Sequence, residues 1–283
     1  MEIQALAKLN LTLDVLGKRP DGYHDMRMVM QSISLTDALT VEKREEPGLR
    51  VFSNLHFLPG GEKNLAGKAA MVYYQALGKP MPGLEIRLTK QIPVCAGMAG
   101  GSSDAAAVLR ALNQLEGEPF SREELMALAE HIGSDVPYCV LGGTALAEGR
   151  GEVLTALPSL PKCWVVVCKP EFSVSTPELF GRLDGVRLRC RPDTDGVLQA
   201  LENGDLAGVA RRMYNIFEDV LPERQQIWVR EIKNTLIQMG ALGANMSGTG
   251  PTVFGLFDQE ELARKAAEPL SQQHKETFLV HTV

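Results

Sequence analysis

Along the start of the chain, apolar and polar positions alternate. Ile3, Ala5, Ala7, Leu9, Leu11, Leu13 and Val15 fall on one side, and Gln4, Lys8, Asn10, Thr12 and Asp14 on the other, with Leu6 the exception. A period of two over this stretch predicts a strand with one apolar face, and it projects Lys8, Asn10 and Thr12 to the same side. Turn residues follow from Gly17 to Gly22, tightest at Pro20-Asp21-Gly22. A second strand is expected from Met26 to Leu35, and a third from near Leu39. Asn64 to Leu77 reads as a helix and Leu84 to Leu88 as a short strand. Ser102 or Ser103 is then expected to cap a helix carrying Ala105, Val108, Leu109 and Leu112 at helical spacing. Ser121 with Glu124 forms a capping box before a helix that stops at Gly133. A short helix from Val136 to Leu141 ends at Gly142-Gly143.

Beyond it, Cys163 to Cys168 reads as a buried strand that Pro170 ends, and Thr176-Pro177 opens a helix. Helical segments run on to Gly240. The glycine-rich stretch Gly243 to Pro251 joins two strand-like runs, and a helix from about Glu260 and a strand from Thr277 to Val283 close the pattern. This order does not alternate regularly between strand and helix, so it implies α+β rather than a doubly wound sheet. The 283 residues fit about two domains of roughly 150 residues. Pro158, Ser159 and Pro161 interrupt the pattern, which places the expected division at 1–157 and 158–283.

Composition narrows the function classes. Hydrophobic residues are 45% and charged residues 23%, the balance of an ordinary globular protein. Net charge is −6, and no Lys/Arg run is long enough to track a phosphate backbone, which argues against a nucleic-acid partner. The five cysteines show no CxxC pair and the five histidines no HExxH, so neither a zinc site nor a disulfide framework is indicated. No apolar run reaches the roughly 18 residues of a membrane span. The expectation is a soluble protein of a reducing compartment that works on small molecules.

The strongest chemical signal is Pro93-Val-Cys-Ala-Gly-Met-Ala-Gly-Gly-Ser-Ser-Asp-Ala-Ala106, between a strand and a helix. Gly97, Gly100 and Gly101 allow close backbone approach and positive φ. Ser102 and Ser103 add hydroxyls where first-turn N–H groups point outward, the arrangement that binds phosphate. It is neither a Walker A loop, since Gly67-Lys68 is followed by Ala69, nor a GxGxxG fingerprint. In Gly133-Ser134-Asp135-Val136-Pro137 the aspartate suits a helix cap, and equally the task of accepting a hydroxyl proton. Lys8 on a strand face suits solvation, or stabilisation of developing phosphoryl charge, with Asn10 beside it. Tyr23-His24 decorates a turn or stacks on a base. Asn245-Met-Ser-Gly-Thr-Gly-Pro251 is a turn, or a second wall around phosphates.

Taken together these segments resemble the GHMP kinases. The likeness is carried by Ala7-Lys8-Leu9-Asn10-Leu11, Arg19-Pro20-Asp21-Gly22-Tyr23-His24, the Pro93 to Ala106 loop, Gly133 to Pro137 and Ser247-Gly248-Thr249-Gly250, and it spans nearly the whole chain. Within that family the strings are most similar to the branch that phosphorylates the 2-hydroxyl of a cytidine-diphosphate methylerythritol in the cytosol, a step toward isoprenoid precursors. The resemblance implies an S5-like N-terminal and a ferredoxin-like C-terminal domain, with ATP and Mg²⁺ as cofactors. It implies Asp135 as catalytic base with Lys8 as its partner. Nucleotide contacts would come from Pro93, Gly97, Met98, Ala99, Gly100, Gly101, Ser102 and Ser103. Substrate contacts would come from Asn10, Tyr23, His24, Phe180, Ser247, Gly248 and Thr249, with Phe180 and Tyr23 sandwiching the cytosine. Met98 and Cys95 stand where the family usually has leucine and alanine, and packing changes are expected there. No acidic magnesium ligand is evident in the sequence, and assembly as a homodimer is compatible with it. A catalytically silent nucleotide sensor on the same fold would have no use for Lys8 and Asp135 together.

Overall fold

The structure, a computed structural model, describes residues 1–188 and 190–283. In chain order its elements begin with β1 (Glu2–Lys18), β2 (His24–Arg44), β3 (Leu49–Ser53), α1 (Leu65–Leu77), β4 (Gly83–Thr89), α2 (Gly100–Leu115), α3 (Arg122–Glu130) and α4 (Val136–Leu141). They continue with β5 (Thr144–Gly149), β6 (Val153–Ala156), β7 (Trp164–Lys169), α5 (Thr176–Asp184), α6 (Thr194–Glu202) and α7 (Leu206–Arg212). Last come β8 (Tyr214–Asn215), α8 (Glu223–Gln238), β9 (Gly243–Met246), β10 (Val253–Phe257), α9 (Glu260–Gln273) and β11 (Glu276–His281). The chain forms two compact units. One comprises Met1–Ala7, Leu35–Val94 and Ala99–Gly142, the other Lys8–Ser34, Cys95–Met98 and Gly143–Val283.

In the first unit the end of β2 runs antiparallel to β4 (Ala38 opposite Thr89, Arg44 opposite Gly83), and β3 lies parallel on the far side of β4. Two strands were expected over 26–44, and the structure has one, β2. Nothing between Leu35 and Leu39 breaks extended backbone. Asp37, which lies between the two expected strands, is fully buried, and its carboxylate accepts the N–H groups of Gln91 and Ile92. The apolar side of this sheet, with Leu39, Leu84 and Ile86, packs with Tyr73, Tyr74 and the small residues Ala105, Ala106 and Ala107 of α2. Helix ends follow local chemistry. Asn64 caps α1 by accepting the Ala66 N–H, and Gly78 closes it in the left-handed region. Ser121 and Glu124 make the expected capping box on α3.

In the second unit β5 pairs antiparallel with the first part of β2, β6 with β5, and the short β8 lies parallel beside β1. A separate antiparallel sheet has the order β11-β7-β10-β9. With α8 before β9 and α9 before β11, this is the β-α-β-β-α-β order of a ferredoxin-like fold. Gly255 of β10 admits α8, since a Cβ there would lie 3.3 Å from Leu236 Cβ. The fold is α+β, as the mixed order of elements implies.

Candidate active site

The loop between β4 and α2 changes direction through three left-handed residues, Cys95 (φ 52°), Gly97 (φ 73°) and Ala99 (φ 57°). The helix itself begins at Gly100, three or four residues earlier than a cap at Ser102 or Ser103 would have it. Ala99 occupies the cap position and offers no side-chain acceptor, so no cap covers the first-turn N–H groups of α2. Ser102 and Ser103 therefore lie inside the first turn. Ser102 is half-buried, and Ser103 is buried with its hydroxyl donating to the Leu6 carbonyl at 2.6 Å. Gly101 is exposed, Gly100 half-buried, and Pro93 and Met98 buried.

Gly97 marks the tightest backbone approach in the second unit. A Cβ at this position would stand 2.0 Å from the Ser247 carbonyl oxygen, and one on Gly248 would stand 3.0 Å from the Gly97 oxygen. Two glycines thus face each other across the loop and the turn that follows β9. Ser247 ties this junction to β1: its Oγ donates to the Gly97 carbonyl (2.9 Å) and accepts the Asn10 N–H (3.2 Å). The Lys8 N–H donates to the Met98 carbonyl at 3.2 Å. The turn is held from below by Asn215, whose Nδ2 donates to the carbonyls of Met246 (2.8 Å) and Gly248 (2.7 Å). Thr249 Oγ1 lies 3.1 Å from Thr176 Oγ1.

The polar side of β1 is not solvated, contrary to what its alternation implies. Lys8 is 4% exposed and Asn10 and Thr12 are 0% exposed. Lys8 Nζ donates to Asn10 Oδ1 at 2.6 Å, and Thr12 Oγ1 accepts the Val29 N–H. Asn245 Nδ2 donates to the Leu11 carbonyl at 3.1 Å, and its Oδ1 is buried with no hydrogen-bond partner. Neither Asn215 nor Asn245 stands out as a site residue in the sequence. Asn245 lies in the quoted glycine-rich string, but Asn215 has only its own type to recommend it.

Asp135 belongs to the first unit and Lys8 to the second. Asp135 sits at the N-terminal boundary of α4, half-buried, and its side chain makes no cap hydrogen bond. The helix starts instead on Pro137 in its first turn and on the Cys139 N–H bonding back to the Asp135 carbonyl at 3.1 Å. Asp135 is therefore not a hydrogen-bonding side-chain cap of α4.

In the second unit His24 stacks on Phe180, with ring centroids 4.5 Å apart and planes 23° from parallel. Phe180 meets Phe217 edge-on at 5.0 Å. His24 Nε2 lies 2.8 Å from Asp184 Oδ1, and Lys18 contacts the other oxygen at 2.7 Å. Hydrogen bonds from Lys18 and then His24 hold the Asp184 carboxyl below its usual range. Tyr23 is 55% exposed, with the Arg150 guanidinium 5.1 Å from its ring centre. Among the described residues Tyr23 and Phe180 make no ring contact, so His24 takes the stacking position beside Phe180. Nor do three His, Cys, Asp or Glu side chains gather among the described residues so as to hold a metal ion.

Comparison with known proteins bears on this geometry. Residues 64–143 match the GHMP kinases N-terminal domain, and residues 197–276 the GHMP kinases C-terminal domain. The chain is 44% identical over 282 residues to the 4-diphosphocytidyl-2-C-methyl-D-erythritol kinase of Alkaliphilus metalliredigens, covering 100% of this chain and 96% of that one. The kinase of the same name from Clostridium beijerinckii is 41% identical, with 100% of both chains covered. A crystal structure of a 4-(cytidine 5'-diphospho)-2C-methyl-D-erythritol kinase superposes with a TM-score of 0.83 at 35% identity, covering 100% and 99% of the two chains. A homoserine kinase structure from Cytophaga hutchinsonii, at 19% identity and a TM-score of 0.76 over 100% and 94% of the chains, shares the fold. The chain belongs to the GHMP kinases, in the branch formed by the 4-diphosphocytidyl-2-C-methyl-D-erythritol kinases.

Proposed function

We propose that the chain transfers the γ-phosphoryl group of ATP to the 2-hydroxyl of 4-(cytidine 5'-diphospho)-2-C-methyl-D-erythritol, giving the 2-phosphate and ADP. The observation that carries the reading is the junction of Gly97 and Gly248, tied by Ser247 to the strand bearing Lys8 and Asn10. The glycines let the loop and the turn pack without side chains between them, and the uncapped N–H groups at the start of α2 suit an anionic polyphosphate. Pro93, Met98 and Ala99 shape that loop, and Gly100, Gly101, Ser102 and Ser103 supply its helical end.

In the reaction the acceptor oxygen attacks the γ-phosphorus in line, the bond to the β,γ-bridging oxygen breaks, and the hydroxyl proton passes to the Asp135 carboxylate. The Lys8 ammonium, oriented by Asn10 Oδ1, stabilises the negative charge that develops. Thr249, Ser247 and Gly248 border the phosphates. Tyr23, His24 and Phe180 receive the cytosine, with Asp184 fixing the imidazole. Among the described residues no acidic cluster could hold a metal ion, and in this reading Mg²⁺ enters bound to the nucleotide phosphates.

The same reading makes the enzyme cytoplasmic, serving isoprenoid-precursor synthesis, and keeps 1–157 and 158–283 as its two domains. In support, β7, β9, β10 and β11 of the four-stranded sheet all follow residue 158. Incubation with Mg-ATP and the cytidine-diphosphate acceptor, followed by phosphorus NMR, should show ADP and a new phosphomonoester on the 2-oxygen. A phosphomonoester at another position, or none, would overturn the assignment.

A further inference from the structure

Behind the phosphate loop the first unit buries a charge cluster that the roles above do not use. Asp37 lies within β2, Lys90 follows β4 and Asp104 is in the second turn of α2; they are 0%, 8% and 3% exposed. The Lys90 ammonium bonds both carboxylates, Asp37 Oδ2 and, at 2.5 Å, Asp104 Oδ2. Asp37 is complete, because its Oδ1 accepts the N–H groups of Gln91 (2.5 Å) and Ile92 (2.9 Å). Asp104 is not: its Oδ1 is buried and accepts nothing. The cluster touches the loop directly, since a Cβ on Gly100 would lie 3.4 Å from Lys90 Nζ and 3.0 Å from Ile92 Cγ2.

Clamping β2 to β4 needs only Asp37 and Lys90, which balance in charge. The second carboxylate leaves the cluster one negative charge in excess, with one oxygen unsatisfied, in an interior where that is costly. Burial pushes the Asp104 carboxyl up to about 7 even though Lys90 pulls it down. A residue that costs stability at a buried site calls for another reason to be there. Asp104 stands one turn above Gly100 on the same face of α2, so it can transmit the position of Lys90 to the helix start.

We propose that Asp104 is a positioning residue for the phosphate donor: through Lys90 it anchors the first turns of α2, holding the N–H groups of Gly100, Gly101 and Ser102 in place for the phosphates. This rests on the kinase reading above. It sets Asp104 apart from a core residue, because its removal should weaken ATP binding without weakening the fold.

The test compares wild type, Asp104→Asn and Asp104→Leu in ATP KM, acceptor KM, kcat and Tm. Asn keeps one bond to Lys90 but loses its charge assistance, so ATP KM should rise about threefold. Leu loses the anchor, and ATP KM should rise about tenfold, short of the roughly 10²-fold that a displacement of about 1 Å can cost. In both variants Tm should equal or exceed that of wild type, with acceptor KM unchanged. ATP KM within about 1.5-fold of wild type in a folded variant overturns the proposal. So does a fall in Tm that the ATP and acceptor constants merely follow. If the Leu variant does not fold, the Asn variant alone decides by the same two criteria. Wild-type protein that neither binds ATP nor turns over would sink the kinase reading itself, whereas an active wild type with unaltered variants would sink only the role of Asp104.

Discussion

Replacing Gly97 by alanine perturbs the candidate site at its narrowest point. The residue sits at φ 73°, where an L side chain costs about 1–2 kcal/mol. Its Cβ would stand 2.0 Å from the Ser247 carbonyl oxygen and 3.1 Å from the Gly250 nitrogen, both backbone atoms that no rotamer change can move. A relaxed carbon–oxygen contact needs roughly 3.3 Å, so the loop and the turn must separate by more than about 1 Å. That separation strains the Ser247 bond to the Gly97 carbonyl and shifts the backbone proposed to face the phosphates, and a shift of this size costs about 10²-fold in kcat/KM. Gly78→Ala is the matched control. It has nearly the same backbone angle (φ 67°), but nothing lies within 4 Å of the added Cβ, so it should lose about 1 kcal/mol of stability and no activity. Steady-state kinetics with varied ATP and urea unfolding of both variants measure the two effects separately. Folded Gly97→Ala protein with kcat/KM within about threefold of wild type would refute the reasoning that this contact sets the geometry.

Asp135→Asn should leave ATP binding, measured by calorimetry, intact while kcat falls about 10²–10⁴-fold, and intact turnover would remove Asp135 from the role of base. Ser247→Ala strands the buried Asn10 N–H and frees the half-buried Gly97 carbonyl, so urea unfolding should show a loss of about 1–3 kcal/mol, the cost of one polar group left dry. The pH dependence of stability carries a signature of Asp104, whose folded pKa of about 7 lies above the unfolded value of about 3.9. The folded state then holds a proton that the unfolded chain releases, so this group's contribution to stability falls as pH rises across that window and levels off above it. Urea midpoints of Asp104→Asn should therefore gain on wild type between about pH 5 and pH 7.5, and parallel curves would contradict the shift.

Local signals in the sequence carried most of the elements. The alternation in β1, the capping box at Ser121 and Glu124 and the short helix from Val136 to Leu141 need only neighbours along the chain, and all three are present. What escaped depends on distant partners. The burial of Lys8, Asn10 and Thr12 reflects a strand satisfied by Ser247 and Asn245, more than two hundred residues away, which no alternation reports. The continuity of β2 rests on Lys90, Gln91 and Ile92 neutralising Asp37. The start of α2 at Gly100 reflects Ala99 in the left-handed region, a conformation that alanine does not announce. The loop, the Asp135 turn and the Tyr23-His24 pair were legible as motifs. That Phe180 stacks on His24 was not, because ring packing depends on side-chain orientation across the unit.

The most direct test of the account is ATP turnover by the purified protein with Mg²⁺ and the cytidine-diphosphate methylerythritol, run in parallel with homoserine and mevalonate. Turnover confined to the cytidine acceptor is the expected result, since the role proposed for Tyr23, His24 and Phe180 requires a substrate with a base. Preferred turnover of homoserine or mevalonate would contradict the account while leaving the kinase fold in place.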